Sequence, residues 1–399
     1  MMKKLFYVVL STMLVIVCGL GGMKQNIDVV TDGCEHSMVN KLPLYLRNYS
    51  SRYCPCTILN VHNIRNILPN DITGSHKIIF FTDEFGEKMI SGSNNGEIVE
   101  IDISTKNCSK RILYKGGERI EALALRDNKS ELIVLDDAKP HGLYSWMVSA
   151  KCINRKNKKT DEIGKFELGS EPFQRTFLLH DEKVYYSGYN RNSQGNGIQC
   201  LNCKNNENFD IFIPEGEFHY YEIFSYAPHK LLFLGSGLLQ IFDLEKKKVE
   251  RKIELSGGGS FSNVIFSNGI LFEGSHRSIE TFNLEQKDLE KGTWTRLLEE
   301  KVQYCSIYLL TYDAEHQRMV YCFRDAGERK DVVKVFDLKN KQAIKIFSCD
   351  YLPLNYLGVY LEVSALTVAP DRRIVIGLST GEIILADYDA QQKLLQDLK

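Results

Sequence analysis

From His76 onward, short runs of Ile, Leu, Val, Tyr and Phe alternate with breaks rich in Gly, Asn, Asp and Lys. Runs of that length, parted by turn residues, predict β-strands joined by tight turns, and no long amphipathic helical pattern interrupts them. The runs fall into fours. The first group reads Lys77–Phe81, Lys88–Ser93, Glu97–Ile103 and Lys110–Tyr114. Later groups span Ile120 to about Leu168, Phe173 to about Ile213, Tyr221 to Leu255, Phe261 to about Leu298, and Ser306 to Phe347. A seventh starts at Val363 and offers three strands before Ala390. In the second group the outer hairpin is expected to be stretched by the basic, polar segment Asn154 to Asp161. The two ends of the array nearly repeat each other: Gly96-Glu97-Ile98 with Asp102, and Gly381-Glu382-Ile383 with Asp387. The offset of 285 residues between Gly96 and Gly381 equals six or seven intervals of the roughly 40–50 residues that a four-stranded repeat occupies.

Repeats of this kind bury their faces against one another and close into a ring. The expected fold is all-β, a seven-bladed β-propeller over residues 57–390, closed by an N-terminal strand that completes the last blade. The seventh group lacks its outermost strand, and an open ring would leave two sheet edges free to pair with other chains. Thr57 to Ile64, just ahead of the first group, can supply the missing strand.

Two small features recur along the array. Glycine stands near the end of the second strand at Gly92, Gly188, Gly235, Gly274 and Gly377, where crowded inner strands require close approach. The third strand ends in Asp or Asn at Asp102, Asp243, Asn283, Asp337 and Asp387. A short polar side chain there accepts a hydrogen bond from backbone two residues on and fixes the turn, so these carboxylates are read as structural. Ile241-Phe242-Asp243-Leu244 and Val335-Phe336-Asp337-Leu338 are nearly one phrase. On these residues the chain resembles the WD-repeat and quinoprotein-like propeller superfamily. The resemblance implies a rigid, non-enzymatic platform whose loops bind other proteins.

The N-terminus has a different character. Lys3 and Lys4 precede an apolar run, Leu5 to Val17, and then Cys18-Gly19-Leu20-Gly21-Gly22. An apolar core of that length suits a signal peptide and is short for a membrane-spanning helix. Residues 1–22 are therefore expected to direct export, to a secreted, periplasmic or extracellular location. Gly19 and Gly21 suit cleavage after Gly21. Acylation of Cys18, making a lipoprotein, and retention as an uncleaved anchor are the rival outcomes. Residues 23–56 form an irregular, Cys-containing segment and 391–399 a polar, helix-like tail. Of the eleven cysteines, Cys34, Cys54 and Cys56 are the best placed for disulfides, because cysteines in strands commonly act as small buried apolar groups. Asn48, Asn107 and Asn128 are Asn-x-Ser glycosylation acceptors in a eukaryotic secretory pathway.

Lys and Arg total 50 against 51 for Asp and Glu, which leaves no overall footprint for nucleic acid or for an anionic membrane. The nine histidines show no His-Glu-x-x-His spacing, and neither a Gly-x-Ser-x-Gly elbow nor a phosphate-cradling loop is present. Cys200-x-x-Cys203 with Cys54-Pro-Cys56 is the one ligand-like set. Residues three apart on a strand point to opposite faces, so the expectation is one buried and one surface cysteine, with no metal and no cofactor. Lys287-Asp288-Leu289-Glu290-Lys291-Gly292-Thr293-Trp294 resembles a sialidase aspartate box but occurs once, and is read as a turn with a packed Trp294.

The functional signal lies in the loops that a propeller gathers on one face. That face is expected to carry Arg191, His276, Arg277, Arg324 and Arg329, a local basic patch on a neutral chain. The connection Cys349 to Leu361 joins it, with Tyr351, Tyr356 and Tyr360 among Leu352, Leu354 and Leu357. Exposed, this loop anchors a protein partner; folded down, it plugs the channel mouth. The alternatives are a propeller enzyme (hydrolase, lyase or quinone-dependent dehydrogenase) and a periplasmic scaffold lipoprotein.

Overall fold

The computed structural model describes residues 77–390 apart from 94–95, 105–108, 117–119, 141–145, 169–176, 191–194, 206, 213–221, 236, 257–262, 286–290, 303–304, 351–352, 355–358, 361 and 380–381. It also gives the backbone of Val29–Thr31 and Cys56–Asn60. Seven antiparallel sheets follow one another along the chain as the blades of a β-propeller. Blade 1 is Lys77–Asp83, Gly86–Gly92, Glu97–Asp102 and Lys110–Lys115, in that spatial order. Blades 2 to 6 begin at Ala122, Phe177, Glu222, Val264 and Cys305. Blade 7 holds Val363–Val368, Ile374–Leu378 and Glu382–Ala386. Its fourth strand is Cys56–Asn60, antiparallel to Glu382–Ala386 with Ile58 opposite Ile384, and Val29–Thr31 adds a fifth. The ring is thus closed by N-terminal backbone, as the missing strand requires. The near-repeat at the chain ends is the same hairpin and third strand seen in blades 1 and 7, six blades apart.

No blade has a core of its own. Successive side chains on a strand point to opposite faces, and each face packs against a neighbouring blade. In blade 1, Met89, Val99 and Ile101 join Val375, Ile383 and Leu385 of blade 7. Ile90 and Ile98 join Ile120, Leu123, Leu132 and Val134 on the blade 2 side. Five further clusters fill the remaining boundaries around the ring. At Gly92 and Gly274 the expected close approach is present: a Cβ would meet Ile120 Cγ2 of the next unit at 2.8 Å, or Ile307 Cγ2 at 2.8 Å.

Every third strand ends in an Asx turn. Asp102, Asp243, Asn283 and Asp337 accept the N–H two residues on, at 3.0, 3.0, 2.8 and 2.9 Å. Asp387 accepts that of Ala390 at 2.9 Å. Asn154 and Asn202 do the same in blades 2 and 3, at 3.0 Å each. In Asp243 the N–H of Lys246, with its ammonium, holds the carboxyl down to about 2.

Three expectations are corrected. Asn154 to Asp161 does not stretch the outer hairpin of blade 2: Asn154 caps a tight turn at 156–157, and Arg155 turns inward and is buried. Cys203 is buried, not on the surface; it packs between blades 2 and 3 while Cys200 packs between blades 3 and 4. The aspartate-box-like phrase is more than a turn. Lys291–Thr293 forms a fifth strand, parallel to Lys248–Ser256 of blade 4, and Gly292 lies so close to Phe282 that no Cβ fits. Trp294 packs on Phe282 as expected, ring centroids 5.9 Å apart. Cys152, Cys200, Cys203, Cys305, Cys322 and Cys349 form no disulfide. Residues 1–22 with Cys18, the cysteines 34 and 54, the acceptors Asn48 and Asn107, and the tail 391–399 lie outside the described residues, and of Cys56 only the backbone is described. Asn128 is exposed at the first turn of blade 2. Among the described residues no helix is long and apolar enough to cross a membrane.

A chain lacking residues 1–60 exposes the edge of Glu382–Ala386; it is expected to melt lower and to self-associate on size-exclusion chromatography, and a monomer with unchanged melting would refute the closure. Asp337→Ala is expected to cost about 1 kcal/mol in denaturant unfolding, whereas Asp337→Asn, which keeps the Oδ1 acceptor, costs much less.

Candidate interaction face

The turns between second and third strands, and the links from blade to blade, share one face of the ring. On blade 5 that turn is Ser275 to Ser278: Ser275 N–H donates to the Ser278 carbonyl at 2.9 Å and the two hydroxyls lie 2.9 Å apart. This clamp leaves His276 and Arg277 exposed at the tip. Arg277 reaches Glu299 at 3.2 Å, a carboxylate it shares with Arg296 at 2.9 Å. Its own carbonyl accepts the Glu300 N–H at 2.7 Å. On blade 6 the corresponding turn is capped by Asp325, whose Oδ1 accepts the N–H groups of Gly327 and Glu328 at 3.0 Å each. Arg329 follows at φ 52°, exposed, with no ion pair among the described residues.

Arg324 is placed differently from the other cations of the predicted patch. Its Nε donates to Asp331 at 3.0 Å and its Nη2 to Glu362 at 2.8 Å, while the guanidinium lies 5.1 Å from the Tyr308 ring centroid. Asp331, fully buried, also accepts the Val363 N–H at 3.0 Å. Tyr308 donates to the Val363 carbonyl at 3.1 Å. These groups bind blade 6 to the first strand of blade 7, so the charge of Arg324 is spent inside the fold. Burial pushes the Glu362 carboxyl up against the pull of Arg324, and pushes the Tyr308 hydroxyl and the Cys322 thiol well above their ordinary ranges. A thiol so held stays protonated and is no nucleophile at neutral pH.

The structure therefore brings His276, Arg277 and Arg329 to the surface of adjacent blades on one face. Arg191, Tyr351 and Tyr356 lie outside the described residues. Of Tyr360 only the backbone is described: Val359–Tyr360 pairs with Pro353–Leu354, so the loop after blade 6 carries a small hairpin. Sequence reasoning missed Asp331 and Glu362, the acidic groups that claim Arg324. The Asp331 signal was available, because an acid seven residues after Arg324 faces it across the hairpin. Among the described residues no cluster of His, Cys, Asp and Glu could hold a metal ion.

The WD40 β-propeller domain of Doa1 superposes with a TM-score of 0.53 at 12% identity, over 79% of this chain and 93% of that one. The fold is that of a seven-bladed β-propeller similar to WD40 propellers. A chain of a mitotic checkpoint complex gives a TM-score of 0.54 at 10% identity, over 93% of this propeller chain and 99% of the other. The extracellular domain of a putative hybrid two-component system, BT4673 of B. thetaiotaomicron, gives 0.52 at 12% identity over 79% of this chain and 38% of its own length. No family model and no curated protein sequence matches the chain. At these identities the likeness is one of fold.

The two kinds of arginine separate experimentally. Arg324→Ala leaves the buried Asp331 without its guanidinium and is expected to lower stability by about 2 kcal/mol. Arg277→Ala, at an exposed pair, is expected to change it by less than about 0.5 kcal/mol. Equal losses in chemical unfolding would overturn the distinction.

Proposed function

We propose that this propeller is a non-enzymatic protein-binding platform, exported or held at a membrane by its N-terminal segment. The observation that carries the reading is the pair of clamped, exposed basic turns on blades 5 and 6. Each is fixed by its own side-chain and backbone hydrogen bonds, so the cations of Arg277 and Arg329 are presented with little ordering left to do on binding, which favours recognition. On the sequence reading, Arg191 joins the proposed face, and the loop of Tyr351, Tyr356 and Tyr360 adds aromatic anchors of the kind that dominate interface energetics. The partner is a protein with an acidic surface, which such a patch steers and orients. The WD40 and checkpoint-complex likenesses support an interaction role for the fold in general terms. Lys3, Lys4 and the apolar run to Val17 support export.

The test is capture by the purified mature chain from an extract of its source organism, identified by mass spectrometry. Arg277→Glu/Arg329→Glu and Tyr351→Ala/Tyr356→Ala are each expected to abolish capture of the same protein while the melting temperature is kept. Capture that survives both variants sinks the reading of this face. The mass of the chain recovered from the cell exterior tests export: loss of residues 1–21 is expected, and an intact N-terminus in the cytosolic fraction refutes it.

A further inference from the structure

The opposite face, where first-to-second and third-to-fourth turns gather, holds an open cleft of about 650 Å³ between blades 1 and 2. Its floor is an ion network. Arg155 lies buried over the Phe81 ring, 4.2 Å from its centroid. It donates to Glu100 from Nε at 2.7 Å, to Asp83 at 3.3 Å and to the Lys129 carbonyl. Arg111 donates to the other Glu100 oxygen at 2.6 Å. One carboxylate thus serves two guanidinium groups, and much of Arg111 remains in solvent, its side chain 41% exposed.

The rim is more basic than the floor. Lys129 spends its ammonium on a neutral acceptor, the Thr82 carbonyl at 2.7 Å, and Lys156 is exposed with no side-chain partner among the described residues. Against these three reachable cations the rim sets Glu84. Beside them stands Phe85, 72% exposed. Its turn is fixed: Asp83 Oδ1 accepts the Phe85 N–H at 2.9 Å, and Gly86 at φ 114° sits where a Cβ would lie 2.8 Å from Ser104 Oγ. The tips of the corresponding turns elsewhere are Asp127 to Ser130, Asp181-Glu182, Pro228-His229, Asn268-Gly269, Ala314 to Gln317 and Pro370 to Arg372. Phe85 is the one large apolar side chain in the set. A lone exposed apolar residue needs no explanation, but one held rigidly at the mouth of a basic cleft does.

We propose that this cleft binds an extended acidic peptide segment of a partner protein, with an aromatic or large aliphatic side chain seated on Phe85 and carboxylates meeting Arg111, Lys129 and Lys156. Charge complementarity selects the acidic partner, and Phe85 selects a peptide over a bare anion. An extended backbone also has somewhere to pair. Arg111 lies on the outermost strand of blade 1, Lys110–Lys115, and among the described residues nothing pairs with its outer edge. In blades 4 and 7 the chain itself lays a fifth strand on that edge. The site is distinct from the face proposed above.

The test is selection from a random display library of heptapeptides on the immobilised full chain, with Phe85→Ser and Lys156→Glu as counter-targets. Phe85 and Lys156 are both at the surface, so each variant is expected to keep the wild-type melting temperature. The wild type is expected to enrich peptides with two or more Asp or Glu next to Phe, Tyr, Trp or Leu. A synthetic peptide of the enriched sequence, labelled with fluorescein, is expected to lose about tenfold in affinity by anisotropy on either variant, worth about 1.4 kcal/mol, and to weaken with added salt. No enrichment, enrichment without acidic residues, or equal affinity for wild type and both variants overturns the proposal, as does tighter binding of a labelled oligonucleotide to the same residues.

Discussion

The structure depends on one pairing, that of Cys56–Asn60 with Glu382–Ala386. Because each blade packs both faces against neighbours and owns no core, the apolar clusters are shared property. Residues such as Met89 and Val375 are buried only while blades 1 and 7 stand together. Hydrogen bonds within a blade are local and form from adjacent hairpins, whereas the 7-to-1 boundary joins segments some 300 residues apart. Loop-closure entropy opposes such contacts and rises only slowly with length. A ladder of backbone hydrogen bonds that also removes an open edge is a sufficient answer to it.

Apolar packing alone would let neighbouring blades slide, and polar groups buried at the boundaries prevent this. Three residues before the turn-forming Asp or Asn, five blades place a polar side chain: Lys151, Gln199, Gln240, Glu280 and Lys334. Two of them make the same kind of bridge to the blade before. Lys151 meets Asp136 at 2.8 Å and the Tyr114 hydroxyl at 2.8 Å, with Tyr114 donating to Asp136 at 2.6 Å. Lys334 meets Glu300 at 2.7 Å, and Tyr321 donates to the same carboxylate. Burial and these acidic neighbours push both tyrosine hydroxyls up. A buried pair adds little net stability over apolar packing, but it demands one geometry, and here that geometry is the angular register of one blade on the next. On the outer turns, Arg318 with Asp389 at 3.2 Å, and Arg373 with the Ile103 carbonyl at 3.5 Å, continue the stitching into blades 7 and 1.

What was legible in the sequence was local. Strand runs, the turn-forming Asp and Asn, and the close approaches at Gly92 and Gly274 are decided within a hairpin or by the next one, and the structure places them as read. Two turn residues of the same kind, Asn154 and Asn202, were not read from the sequence. The missing fourth strand of blade 7 was legible because its absence violates a general rule about edges. Arg324 was legible only in part: Asp331 faces it across its own hairpin, but only the fold brings Glu362, 38 residues on, to it. The strand Lys291–Thr293 escaped for the same reason, since a parallel pairing with the preceding blade leaves no periodic trace in three residues.

The same reasoning separates the two faces by how their charge is used. Where cations are shared among carboxylates across a boundary, as with Arg155 and Arg324, desolvation has already been met by partners within the chain, and a foreign anion would have to displace them. Such groups set shape. Where a cation sits on a turn capped by a side-chain oxygen that accepts the turn's backbone N–H groups, as with Arg329 under Asp325 and Lys156 under Asn154, the turn is held and the charge remains at the surface. The sign of a residue therefore says less about its role than whether the fold has already supplied its counter-charge. By that criterion Arg329 on blade 6 and Lys156 at the mouth of the blade 1–2 cleft, both exposed, keep their charge for a partner more fully than Arg277 and Arg111, which already meet Glu299 and Glu100. The two proposed acidic-partner sites rest most firmly on Arg329 and Lys156.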